Sequence, residues 1–281
     1  MEFFYILILA MVQGIAELLP VSSSAHVIVA EKLMGLDPTS PQMTMILVML
    51  HTGTMFAVIA YFWKSWRETY FASAQQFRAN GANLVIATIA TGVVGFGLQM
   101  IIKHFFAENA DKFEIEHLFG NAKLMAAALA SAGVLIILSS RMKEKGNHDV
   151  NTRSALWIGA VQGLCLPFRG FSRSGATIST GLALGVNRRR AEQFSFALAV
   201  VLTPAVIVKE AVRLFKVESA STVNDTAVLL HALFPGLLGM VLSFLTGLIA
   251  LRWLSRWLEQ GRWHFFGAYC LFASLVVLWV G

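Results

Sequence analysis

Six stretches of mostly apolar residues, at about 42–62, 82–105, 122–140, 192–209, 229–251 and 264–280, punctuate a chain of 281 residues. Each approaches or reaches the roughly 17–25 residues that a helix needs to cross a hydrocarbon layer about 30 Å thick. A chain built this way must fold with a bilayer as part of its solvent. Composition leads to the same place: 57% of the residues are hydrophobic and 14% charged, where soluble domains carry about 25% charge. That is too little polar surface to cover so large a core in water. The formal charge of +6 points away from nucleic acid, because the basic residues sit in short clusters between apolar runs, the pattern of membrane orientation. Cys165 and Cys270 each lie inside an apolar run, which gives no framework for a disulfide. The opening MEFFYILILAMVQG carries an acidic residue and no basic stretch, so this segment is expected to stay in the mature protein.

Two further regions break the pattern. Residues 3–34 and 153–186 each hold two apolar pieces, shorter than the roughly 17 residues of a minimal span, split by LPVSSSAH at 19–26 and by LPFRGFSRSG at 166–175. Broken backbone at membrane depth is tolerated only where protein or a water-filled cavity surrounds it. Both regions are therefore expected to be re-entrant helical hairpins that return on the side they enter. The fold class that follows is an all-α polytopic membrane protein, six transmembrane helices plus two re-entrant hairpins, in a single integral membrane domain.

Loop charges orient this arrangement. Residues 63–81 (Lys64, Arg67 and Arg78 against Glu68), 141–153 (Arg141, Lys143, Lys145 and Arg153 against Glu144 and Asp149), 187–191 (Arg188, Arg189 and Arg190) and 252–262 (Arg252, Arg256 and Arg262 against Glu259) are all net positive and fall on one side. Asp37, the acidic 106–121 segment and a balanced 209–228 segment fall on the other. The positive-inside rule makes the first side cytoplasmic and puts both termini outside. The hairpins then enter from opposite sides, and their tips can meet. Val12-Gln13-Gly14-Ile15 recurs as Val161-Gln162-Gly163-Leu164, each followed by Leu-Pro and a serine-rich tip. The expectation is an inverted-topology repeat, 1–140 and 153–281, with its site at the repeat interface.

The tips carry the chemistry. Glu17 lies one turn after Gln13 inside an apolar run, where a carboxylate needs a partner or a polar pocket. It is either the structural partner of an arginine or a carboxylate that accepts a proton, positions water or holds a cation. Pro20-Val21-Ser22-Ser23-Ser24-Ala25-His26 has the composition of a turn and a new helix start, with a serine as cap. The amides of such a start favour phosphate oxygens. His26 is three residues from Ser23, and a neutral imidazole can activate a hydroxyl or protonate a leaving oxygen. On the second tip, Arg173 is a permanent charge whose donor fork suits phosphate or carboxylate. Ser172, Ser174 and Thr177 add hydroxyls, while Gly170 and Gly175 allow close backbone approach. An internal Arg173–Glu17 ion pair is the bland alternative. His51-Thr52-Gly53-Thr54 reads as a polar packing patch or part of a cavity wall. Met43, Met45, Met49 and Met55 read as packing, and Trp63, Trp66, Trp253 and Trp257 as an interfacial belt.

At both tips the chain resembles the undecaprenyl-diphosphatase family, also called bacitracin-resistance proteins. The carrying residues are Gln13-x-x-x-Glu17 running into Leu19-Pro20-Val21-Ser22-Ser23-Ser24-Ala25-His26, and Arg169-Gly170-Phe171-Ser172-Arg173-Ser174-Gly175-Ala176-Thr177. The His51-x-Gly53-Thr54 step and Glu192-Gln193-Phe194-Ser195-Phe196 also match. The resemblance implies a bacterial inner-membrane enzyme that removes the terminal phosphate of a polyprenyl diphosphate, with its site open to the periplasm. It implies Glu17, Ser23, His26 and Arg173 as catalytic residues. Gln13, Ser22, Ser24, Gly170, Ser172, Ser174 and Thr177 would bind substrate around them. A divalent cation, magnesium or calcium, held by Glu17 is implied as well, although Gln13 stands where some members have a second carboxylate. Ser24 and Ala25 replace threonine and glycine of the pattern, and Arg169 replaces proline, adding a charge. The expected partners are the prenyl diphosphate and membrane lipids, and a homo-oligomer is compatible with the chain. The rival class is an inverted-repeat transporter or flippase of a phosphorylated lipid or anion, which needs no nucleophile.

Overall fold

The computed structural model describes residues 3–36, 41–106, 121–142, 148–168, 170–219 and 226–280. They form ten helices: α1 (Phe3–Leu18), α2 (Ser23–Leu33), α3 (Pro41–Tyr70), α4 (Ala74–Phe106), α5 (Ala122–Arg141), α6 (Thr152–Cys165), α7 (Arg173–Ala183), α8 (Arg188–Ser219), α9 (Thr226–Glu259) and α10 (Trp263–Val280). Helices α3, α4, α5, α9 and α10 are long and apolar enough to cross a membrane. Their outward residues are apolar too, among them Phe96, Met100, Phe234, Leu275 and Trp279, which suits lipid and not water. The chain is an integral, polytopic, all-helical membrane protein.

The expected sixth stretch, 192–209, lies in α8, which is not one of those five helices. Ala191–Ala199 is buried without interruption and includes Glu192, Gln193 and Ser195. Other helices enclose this part of α8, so it carries polar groups that a lipid-facing helix would not. Glu192 accepts a hydrogen bond from Ser255 Oγ at 2.5 Å.

Both anomalous regions are pairs of short helices. Helices α1, α2, α6 and α7 have 16, 11, 14 and 11 residues, or about 24, 16, 21 and 16 Å at 1.5 Å per residue, each below the hydrocarbon thickness. Helix α6 starts on a reciprocal cap, Asn151 Oδ1 accepting from Ser154 N and Ser154 Oγ accepting from Asn151 N, both at 2.9 Å. Helix α2 stops at Gly35, whose φ of 65° belongs to the left-handed region.

Two stretches read as loops from their charge are mostly helical. Helix α3 runs on to Tyr70 and α9 to Glu259, leaving only short links to α4 and α10. Apolar runs mark the part of a helix that meets hydrocarbon; Trp, Lys, Arg and Glu continue the same helix into the headgroup zone. These ends gather together. Arg190 donates to Asp149 at 2.6 Å, Thr69 at 3.1 Å, Asn80 at 3.3 Å and Gln193 at 3.0 Å. Arg188 donates to the carbonyls of Leu258 and Glu259 at 3.3 and 3.2 Å. The described parts of all four basic segments thus gather together.

The hairpins are held by helices distant in sequence. Helix α1 rests on α9, and α6 on α4. Thr246 Oγ1 donates to Ala10 O at 3.3 Å, and Thr91 Oγ1 to Gly159 O at 2.9 Å. One turn on, a Cβ at Gly14 would stand 2.8 Å from Ser243 O, and one at Gly163 would stand 2.8 Å from Thr91 O. The glycines of the repeated Val-Gln-Gly step therefore do one job twice: they let a hairpin helix touch the backbone of its support.

Candidate active site

The site centres on Glu17, near the end of α1. Its Oε2 accepts from Ser23 Oγ at 2.5 Å and from Gln13 Nε2 at 3.2 Å, and its Oε1 accepts from Arg173 Nη2 at 3.3 Å. His51 Nε2, on α3, lies 3.7 Å from the same Oε2. Four helices, α1, α2, α3 and α7, thereby direct polar groups at one carboxylate. The two tips do meet: besides the Arg173–Glu17 pair, Ser174 Oγ donates to Leu19 O at 3.4 Å.

The first tip is unusual in its backbone. Ser22 precedes α2 with φ 67°, the sole positive φ outside glycine among the described residues. It makes no side-chain cap; its Oγ lies 3.3 Å from Ser24 Oγ instead. A serine cap was the expectation for α2, and the left-handed turn removes it by swinging the hydroxyl away. The first-turn amides stay without a capping side chain, an arrangement suited to phosphate oxygens.

The second tip is conventional. Ser172 Oγ accepts from Gly175 N at 3.2 Å and caps α7. Thr177 Oγ1 donates to Arg173 O at 2.8 Å and lies 2.6 Å from Ser195 Oγ. Gly170 has φ 101°, and a Cβ there would come within 2.4 Å of Met125 O. The hydroxyls of Ser172, Ser174 and Thr177, expected toward substrate, are thus engaged inside the protein. Arg173 differs: its Nη1 is buried and makes no hydrogen bond among the described residues. A buried charged donor left unmade is costly. A guanidinium donor of this kind suits a phosphate oxygen.

His26 is oriented otherwise than its spacing from Ser23 suggested. Its Nδ1 lies 2.8 Å from Ser22 O, and its Nε2 lies 2.8 Å from the hydroxyl of Tyr269 on α10. Ser23 is bonded to Glu17 in place of His26. The cause is local: the ring folds back on the carbonyl four residues earlier, which turns Nε2 outward from the helix. Arg169 lies outside the described residues.

A divalent cation finds a poor home here. Hard cations take six or more oxygen ligands, usually with several carboxylates or waters. Glu17 already serves Arg173, Ser23 and Gln13, and a guanidinium 3.3 Å away opposes a second cation. Among the described residues no group of three or more His, Cys, Asp and Glu side chains is placed to hold a metal.

A family model described as "Bacitracin resistance protein BacA" matches residues 6–276. The chain belongs to the BacA family. It is 63% identical to "Undecaprenyl-diphosphatase 2" of Acinetobacter baylyi, over 99% of this chain and 98% of that protein. It is 33% identical to "Undecaprenyl-diphosphatase" of Desulfosudis oleivorans, over 98% and 97% of the two chains. "Undecaprenyl-diphosphatase 1" of Burkholderia pseudomallei is 32% identical, over 99% and 96%. In this BacA chain, His51 and Tyr269 also reach the cluster, through Glu17 and His26. His51 carried a signal, its place in the His-x-Gly-Thr step. Tyr269 carried none, since it reaches the site only through the packing of α10 on α2.

Proposed function

We propose that this chain hydrolyses undecaprenyl diphosphate to undecaprenyl phosphate and inorganic phosphate, recycling the carrier lipid of cell-wall synthesis. The observation that carries the reading is that Ser23 and Arg173, from two different hairpin tips, both bond to Glu17, while Arg173 keeps a second buried donor, Nη1, with no partner among the described residues. The names of the full-length relatives supply the substrate. Bacitracin resistance follows from the same activity.

In the proposed reaction the terminal phosphate sits against Arg173 and the first-turn amides of α2. Both stabilise charge on the transferred group. Ser23 Oγ attacks that phosphorus and passes its proton to Glu17, already 2.5 Å away. The bond to the bridging oxygen breaks, and undecaprenyl phosphate leaves. Water then opens the phosphoserine: its proton goes to His26 Nε2, and the departing Ser23 oxygen recovers the proton from Glu17. Gln13 fixes the Glu17 carboxylate, and His51 stands across it as a second polar contact for phosphate. Direct attack by water on the diphosphate, with Glu17 and His26 as bases, is the mechanistic alternative.

The same reading covers topology. Six spanning helices (α3, α4, α5, α8, α9 and α10) and two re-entrant hairpins (α1–α2 and α6–α7) form an inverted repeat, supported by the matched Thr246–Ala10 and Thr91–Gly159 contacts. The basic end faces the cytoplasm of a bacterial inner membrane, the termini face the periplasm, and the site opens to that side.

The test is phosphate release from undecaprenyl diphosphate by the purified protein, beside Ser23→Ala and Arg173→Ala. Hydrolysis lost in both variants, with phosphoserine trapped in the parent, is the expected result. Folded protein with no release from any prenyl diphosphate would overturn the hydrolase reading and favour a carrier. Full activity in Ser23→Ala would leave hydrolysis standing and select direct water attack.

A further inference from the structure

His26 is held at both ring nitrogens, and the two contacts together define its chemistry. A carbonyl oxygen only accepts, so Nδ1, at 2.8 Å from Ser22 O, carries a proton. In the neutral ring Nε2 is then the acceptor. Its partner at 2.8 Å is the Tyr269 hydroxyl, which must donate. The two rings also lie face to face, with centroids 5.6 Å apart and planes inclined by 15°. Tyr269 is 44% exposed although it lies well inside the apolar helix α10. A tyrosine at that depth with its hydroxyl turned to an imidazole is poorly explained by interfacial anchoring, which places the hydroxyl at the headgroups.

We propose that Tyr269 is a positioning residue of the hydrolysis, acting through His26: its hydroxyl and ring fix the plane in which Nε2, left unprotonated by the Nδ1–Ser22 contact, receives a proton. This rests on the hydrolase reading and deepens it. Nε2 in this tautomer is a base and not an acid, which assigns His26 to deprotonating water and leaves the Ser23 proton to Glu17. Incoming water takes the lone pair of Nε2 while the Tyr269 hydroxyl oxygen turns to accept from that water's other hydrogen; the water forms its new bond to phosphorus and gives Nε2 the proton it loses. Tyr269 itself gains and loses nothing. The competing explanation is a polar pair satisfied for stability alone, and the experiment must separate the two.

The variants are Tyr269→Phe, which keeps the ring and removes the hydroxyl, His26→Gln, and the double variant, each as the full chain in detergent. Tyr269→Phe is expected to lower kcat about tenfold, the effect of one hydrogen bond, with KM changed by less than about twofold. On the His26→Gln background, Tyr269→Phe is expected to change the rate by less than about twofold, since its route of action is gone. With histidine labelled in the ring nitrogens, the Nε2 resonance that vanishes in His26→Gln should move in Tyr269→Phe while Nδ1 stays protonated. Losses that multiply in the double variant, or an Nε2 resonance that is the same with and without the hydroxyl, would overturn the proposal. A parent protein that releases no phosphate would instead overturn the hydrolase reading, and the nitrogen spectrum would still decide whether the Tyr269 hydroxyl engages Nε2.

Discussion

The two hairpin tips share a sequence echo and differ in what they leave unsatisfied. On the first, Ser22 takes a left-handed conformation, no side chain caps α2, and Ser23 turns to Glu17. On the second, Ser172 caps α7, Thr177 is tied to Ser195, and Gly170 fits tightly under Met125. The divergence reaches back into the helices. Gln13 donates to Glu17, whereas Gln162 turns to Thr91 of α4, and the residue four places after it is the apolar Leu166. One tip has a strained, loosely capped backbone beside Glu17. The other is a capped, tightly packed mount for Arg173. Under the proposed function the bonds change at the first tip, and the second supplies a cation.

The contrast breaks first at the reactive tip. Ser23→Ala or Glu17→Gln should lower phosphate release by at least about a thousandfold, as expected when a nucleophile or its base is lost. A loss of less than about tenfold in both would mean that the first tip is not where bonds change. Arg173→Lys keeps the charge and removes the fork; a fall of about a hundredfold, measured at saturating substrate, would show that the second tip provides geometry as well as charge.

Smaller effects test whether the second tip is a mount. Gly170→Ala forces a Cβ into Met125 O and strains a φ of 101°; it should cost about 2 kcal/mol of stability, read as a lowered midpoint of thermal unfolding in detergent. Ser172→Ala removes a helix cap and should cost about 1 kcal/mol, with a loss of rate of only about threefold. If Ser172→Ala instead matched Ser23→Ala in rate while melting normally, the second tip would be chemically active and the contrast would fail.

Much of this was legible in the chain itself, and the physics says which part. Short apolar pieces split by Leu-Pro and glycine mark a helix break at 19–22 and at 166–172, because local composition decides such breaks. Glu17 and Arg173 were readable as a pair because neither charge is tolerated alone inside hydrocarbon. The orientation of His26 was not readable: its spacing from Ser23 is the same whether the ring faces that serine or folds back on Ser22 O. Tyr269, 243 positions from His26, meets it only through tertiary packing. The ends of α3 and α9 were hidden for another reason, since hydropathy reports solvent and not helicity.

The bond from Thr246 to Ala10 joins residues 236 positions apart, and it has a consequence for biogenesis. The helix that carries Glu17 leaves the ribosome before its support, α9, and before the partner of His26, on α10. Until those emerge, α1 and α2, each too short to span the bilayer, lack the helix on which α1 chiefly rests. The surroundings of Glu17 and His26 are therefore complete only after α9 and α10 have joined the earlier helices.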